Sequence, residues 1–121
     1  MSMAKQTPLG EAFENTIREA ADAINSGDYD YGLSRLERAH VLGQTRVLRH
    51  LRVHVLMLII AWRKRDIQEC LAQGFRIVLL PIGHLTGRIP PGNPGTGRVS
   101  AFASMPIDPD LAELLRADRT P

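Results

Sequence analysis

The sequence predicts an all-α fold, a four-helix bundle of helical hairpins followed by a proline- and glycine-rich C-terminal arm and a short terminal helix. Three observations predict it. Apolar residues recur at intervals of three and four along four successive segments, which is the helical period. Short polar or glycine-containing stretches separate those segments. From Leu79 to Pro106 the pattern breaks up under Pro81, Pro90, Pro91 and Pro94 and their neighbouring glycines. A chain of 121 residues is the size of one domain. The sequence therefore divides as one helical domain over 1–121, with a bundle at 8–80, an irregular arm at 81–107 and a terminal helix at 108–117.

The first helix spans about 8–25, because Leu9, Phe13, Ile17, Ala20, Ala21 and Ile24 share one face while Glu11, Glu14, Arg18 and Glu19 lie beside or opposite it. Ser26-Gly27-Asp28 stops it, with Gly27 suited to a left-handed C-terminal position and Asp28 or Asp30 suited to capping the next helix. The second helix runs to about Leu42, with Gly32, Leu33, Leu36, Ala39 and His40 along its apolar stripe. Gly43 ends it. Thr45 is the expected cap of a third helix, which places Val47, Leu51, Val55, Leu58 and Trp62 on one face and Arg46, Arg49 and Arg52 on the other.

The second half of that helix, Val55 to Trp62, is apolar all round, so it reads as a buried central helix. It is far shorter than the roughly 20 apolar residues of a membrane span, and Arg63-Lys64-Arg65 closes it. Asp66 caps a fourth helix with Ile67, Cys70, Leu71, Phe75 and Val78 at helical spacing, ending at Pro81. Cys70 reads as a small core residue. The arm carries Leu85, Ile89, Val99, Phe102, Met105 and Ile107, enough apolar surface to predict that it packs on the bundle or on a second subunit. Asp108-Pro109-Asp110 starts the terminal helix, with proline at its first position.

Composition excludes several function classes. Formal net charge is only +2, too small an excess to point to nucleic acid, and no nucleic-acid motif accompanies it. A single cysteine rules out an internal disulfide, a cysteine-rich zinc site and a CxxC redox pair, and it fits a reducing, cytoplasmic compartment. Met1 to Pro8 lacks the apolar core of a signal peptide. The glycine-rich run Pro91 to Val99 resembles a phosphate loop only superficially, since Arg98 and Val99 stand where that motif needs Lys and Ser or Thr. Neither Ser34 nor Ser100 sits in a nucleophile turn, which argues against a serine hydrolase.

The residues that carry chemistry are histidines. His50 and His54 are four apart, on one side of the third helix. Glu37 and His40 are three apart on the second, the Glu-x-x-His spacing that carboxylate-bridged metal bundles use. If the turn at Gly43-Gln44 makes an antiparallel hairpin, a rise of about 1.5 Å per residue brings all four to similar heights. Glu37, His40, His50 and His54 then form a ligand set suited to zinc, copper, nickel or iron, with Glu14 as a conceivable fifth member. The alternative is that His40 is a core histidine bonded to a backbone carbonyl or to Glu37 or Glu14. His84, beyond Pro81 and between Gly83 and Gly87, is assigned a packing or turn role.

The segments Leu36-Glu37-Arg38-Ala39-His40-Val41-Leu42-Gly43-Gln44, His50 with His54, Pro91-Gly92-Asn93, Val99-Ser100-Ala101-Phe102 and Met105-Pro106 resemble, in this order, the bacterial family catalogued as domain of unknown function 3703. That resemblance covers nearly the whole chain and implies no activity. Gly27-Asp28 and Glu37-Arg38-Ala39 also resemble tetratricopeptide helices, one pair of which implies hairpin architecture locally. The expected function is a non-enzymatic binding protein holding a transition metal at the Glu/His cluster. The alternative is a metal-free helical interaction module, with a protein partner or a second copy of the chain and without membrane contact.

Overall fold

The computed structural model describes residues 7–119; Met1 to Gln6, read above for the lack of a signal peptide, lie outside the described residues. Five helices follow in order: α1 (Pro8–Ser26), α2 (Tyr29–Gly43), α3 (Val47–Arg63), α4 (Ile67–Thr86) and α5 (Pro109–Arg119). No strand occurs among the described residues. The fold is all-helical, built of the two hairpins α1/α2 and α3/α4, with α2 joined to α3 across their shared side.

The helix boundaries have local causes. Thr7 caps α1 by accepting from the Gly10 N–H at 3.0 Å, with Pro8 in the first turn where a missing N–H costs nothing. Gly27 ends α1 in the left-handed conformation, at φ 82°. Asp28 caps α2, and Asp66 caps α4 by accepting from Glu69 N–H at 3.0 Å. Thr45 does not cap α3. Its N-terminal flanking residue is Arg46, which makes no side-chain capping bond.

Phe13, Leu9 and Ile17 of α1, Leu36, Ala39 and Leu42 of α2, and Val53, Met57 and Ile60 of α3 form one buried cluster. Helix α5 lies across α1 and α2 and adds Leu111 to it, and Arg38 of α2 pairs with Asp110 at 2.9 Å.

Three expectations are corrected. Helix α4 continues through Pro81 to Thr86, so the irregular arm occupies 88–108 instead of 81–107. Pro81 sits on the exposed side of α4, where water can satisfy the Ile77 carbonyl that a backbone N–H would have bonded. The buried side of α3 is His50, Val53, His54, Met57, Ile60 and Ala61, while Trp62 is 73% exposed and Val47 and Val55 are also exposed. In α4 the apolar stripe faces outward: Ile67, Leu71, Phe75 and Val78 are exposed, and Gln73, Arg76 and Leu80 are buried. The reason is topological, since α3 is the only helix that α4 packs against. Cys70, on the border of that stripe, is half-buried.

The side of α4 that faces the molecule is polar because it meets the arm. Arm and bundle are joined by bonds from both sides of the opening between α2 and α4. Gln44, just after α2, donates to the Pro90 carbonyl at 2.7 Å and accepts from Gly92 N–H at 3.1 Å. From α4, Gln73 donates to the Gly95 carbonyl at 3.0 Å, Arg76 donates to the Val99 carbonyl, and Glu69 accepts from Gly97 N–H. Asn93 fixes the arm's own shape by donating to the carbonyls of Ser100 and Ala103, both at 2.8 Å. Of the apolar residues expected to pack on the bundle or on a second subunit, Ile107 packs on the bundle core, while Leu85, Phe102 and Met105 are exposed in the single chain.

Candidate metal centre

Under the arm, three imidazoles meet. His40 comes from the last turn of α2, and His50 and His54 come from one face of α3, four residues apart. All three are buried, and one ring nitrogen from each lies within 4.8 Å of the other two. The short turn between α2 and α3 folds the helices back on each other, as the sequence implies, and the rings converge at that fold.

Hydrogen bonds behind the rings set their tautomers. His40 Nδ1 lies 2.5 Å from the Asn93 carbonyl, which can only accept, so Nδ1 carries the proton. His54 Nδ1 lies 2.7 Å from Gln73 Oε1. The Gln73 amide nitrogen spends its two hydrogens on Glu69 Oε1 and the Gly95 carbonyl, so its oxygen accepts and His54 Nδ1 also carries the proton. Both rings thus turn a bare Nε2 lone pair into the same space. The two Nε2 atoms are 3.2 Å apart, and His50 Nε2 is 3.0 Å from that of His40.

The environment keeps the rings neutral. Burial pushes the His40 pKa well below the ordinary imidazole value, with further lowering from its His54 and His50 neighbours. His50 is pushed down to about 3, mainly by burial. His54 is lowered by burial, against the opposing hydrogen bond to Gln73. At neutral pH burial therefore opposes relief of the crowding by protonation.

Glu37 does not join them. Its carboxylate pairs with Arg98 at 3.3 Å, and burial raises its pKa against the Arg98 charge. Glu14 is held by two bonds from Arg52, at 2.6 and 3.2 Å. Of the four residues the sequence groups, the structure brings together His40, His50 and His54.

Gln73 escapes the sequence reading, and His84, given a packing or turn role there, stands instead in a helix beside the cluster. Gln73 is fully buried and orients His54. His84 sits in the last turn of α4, with its Nε2 2.9 Å from His50 Nδ1. Its signal is hidden because its position follows only if α4 passes through Pro81. The tight approach of the arm is set at Gly95, where φ is +88° and an added Cβ would stand 2.5 Å from the His40 ring.

A cavity of about 240 Å³ reaches all three rings. Leu79, Leu80, Ile82 and Ile89 supply much of its wall, and Arg76 and Arg88 are its charged lining residues.

No helix among the described residues is long and apolar enough to cross a membrane. Comparison with known proteins finds no matching curated protein and no matching solved structure. A family model does match residues 7–115, nearly the whole chain. The matched span includes the three histidines and the arm, and the chain belongs to the family of proteins of unknown function designated domain of unknown function 3703.

Proposed function

We propose that this protein binds one divalent transition-metal ion through Nε2 of His40, His50 and His54, with the fourth coordination position left to a non-protein ligand. One observation carries the reading: two neutral imidazoles, their protons fixed on Nδ1 by a carbonyl and an amide oxygen, aim unprotonated nitrogens at each other across 3.2 Å. Two lone pairs at that distance repel, and a Lewis acid between them turns the repulsion into two bonds. Zinc–nitrogen bonds of about 2.0–2.1 Å in a tetrahedron space the nitrogens about 3.3–3.4 Å apart, close to the 3.0 and 3.2 Å seen here. Bonds from Nδ1–H to a carbonyl or amide oxygen are the usual supports of metal-bound histidine.

The neutral, hydrogen-bonded core histidine described above explains His40 Nδ1 and His54 Nδ1. A His50 Nε2–H donated to His40 Nε2 accounts for one more nitrogen, but the 3.2 Å approach of His54 Nε2 to His40 Nε2 is left unexplained. The wider set with Glu37 is not needed, because Arg98 already neutralises that carboxylate.

The test is equilibrium dialysis of the untagged, chelator-stripped chain against Zn²⁺ and Co²⁺. One ion per chain is expected. His40→Ala and His54→Ala should weaken binding at least 100-fold, Gln73→Leu about 10–100-fold, and Glu37→Gln should leave it unchanged. Binding that none of the histidine substitutions alters would defeat the proposal.

A further inference from the structure

The electrostatics of the site and the shape of its cavity specify what occupies the fourth position. Three neutral imidazoles leave a bound dication's charge uncompensated. Neither nearby carboxylate is a ligand: Glu37 pairs with Arg98, and both oxygens of Glu69 accept from the Gly97 N–H, one of them also from Gln73. The charged residues lining the cavity are Arg76 and Arg88. Arg76 lines the same end of the cavity as the three rings, held there by its bond to the Val99 carbonyl. Arg76 therefore puts a positive charge at the histidine end of the cavity, with Glu69 outside the lining. Its remaining wall is largely aliphatic, from Leu79, Leu80, Ile82 and Ile89. A dry apolar cavity of about 150 Å³ accepts benzene, so 240 Å³ leaves space for one ring with a small head group.

Resting on the metal reading above, we infer that the cavity binds a small organic anion, a carboxylate with one ring or a short branched chain as its body. The carboxylate completes the metal's coordination beside Arg76, and the apolar body lies against Leu80 and Ile82. An inorganic anion satisfies the charge and leaves the aliphatic wall unused. A neutral aromatic uses the wall and leaves the charge.

The experiment uses Co²⁺-loaded full-length protein, whose visible absorption reports a change of ligand at the ion, titrated with benzoate, acetate, inorganic phosphate and benzyl alcohol. Benzoate should change the spectrum and saturate at a concentration at least tenfold lower than acetate or phosphate, with benzyl alcohol ineffective. Ala101→Phe, which narrows the cavity, should weaken benzoate at least tenfold while acetate and Co²⁺ uptake stay the same. Benzoate no better than acetate, or benzoate binding that Ala101→Phe leaves intact with Co²⁺ in place, overturns this inference and leaves the metal site standing. Failure to take up Co²⁺ overturns the metal reading and this inference with it.

Discussion

His40, His50 and His54 are native only as neutral bases, and that has a measurable cost in acid. In the unfolded chain each takes a proton near pH 6.5, whereas in the folded metal-free chain their pKa values are lowered, His50 to about 3. Between those values the unfolded state binds more protons, so stability rises with pH up to about 6.5 and is level above it. Going from pH 7 to 5.5 should cost the metal-free protein about 1 kcal/mol for each imidazole that stays neutral. Urea denaturation at the two pH values measures this, and an unchanged midpoint contradicts the burial. Gly95 is a second residue on which the site depends. Gly95→Ala forces a side chain against the His40 ring and into a left-handed backbone. It should destabilise the fold by about 1–3 kcal/mol and weaken Zn²⁺ binding, read by urea titration and dialysis.

Among the helices, the hairpin that carries the histidines is legible in the sequence, because spacing alone puts His50 and His54 on one face and a short turn returns α3 alongside His40. Which side of each helix faces inward is not legible in α3 and α4. Periodicity locates the stripe of Ile67, Leu71, Phe75 and Val78, and the usual assumption that such a stripe is buried then points it the wrong way. Gln73 and Arg76 face inward because they meet histidine and arm carbonyls from distant sequence. The boundary at Pro81 misleads for a related reason: proline's penalty depends on whether its side of the helix is wet. The turn between α3 and α4 offers a prediction at this scale. Arg65 is the one non-glycine residue with positive φ among the described residues, at 57°. Its N–H reaches the Trp62 carbonyl while Asp66 N–H reaches Ala61, the arrangement that glycine usually closes. Arg65→Gly should raise the thermal midpoint, by an amount corresponding to up to about 1 kcal/mol, and a lowered midpoint would refute the strain argument.

Across the whole molecule, the arm joins helices that do not pack on each other. Helices α2 and α4 meet through Gln44, Asn93, Gly95, Gln73 and Arg76, and the histidines lie inside that seam. Several arm amides, Gly92, Gly95 and Gly97, are held by side-chain acceptors instead of a helix or sheet ladder. Such bonds break by local opening, well below the free energy of global unfolding. Because His40 grips the Asn93 carbonyl with one nitrogen and would offer the other to the ion, and His54 reaches the Gly95 carbonyl through Gln73, metal occupancy should reach the arm through two rings. Deuterium uptake at those three amides should slow at least tenfold on adding Zn²⁺, while amides in the middle of α1 change no more than overall stabilisation requires; equal slowing everywhere would disprove the link. A chelator would then loosen this latch before melting any helix, turning the metal's departure into the uncovering of a stretch of backbone.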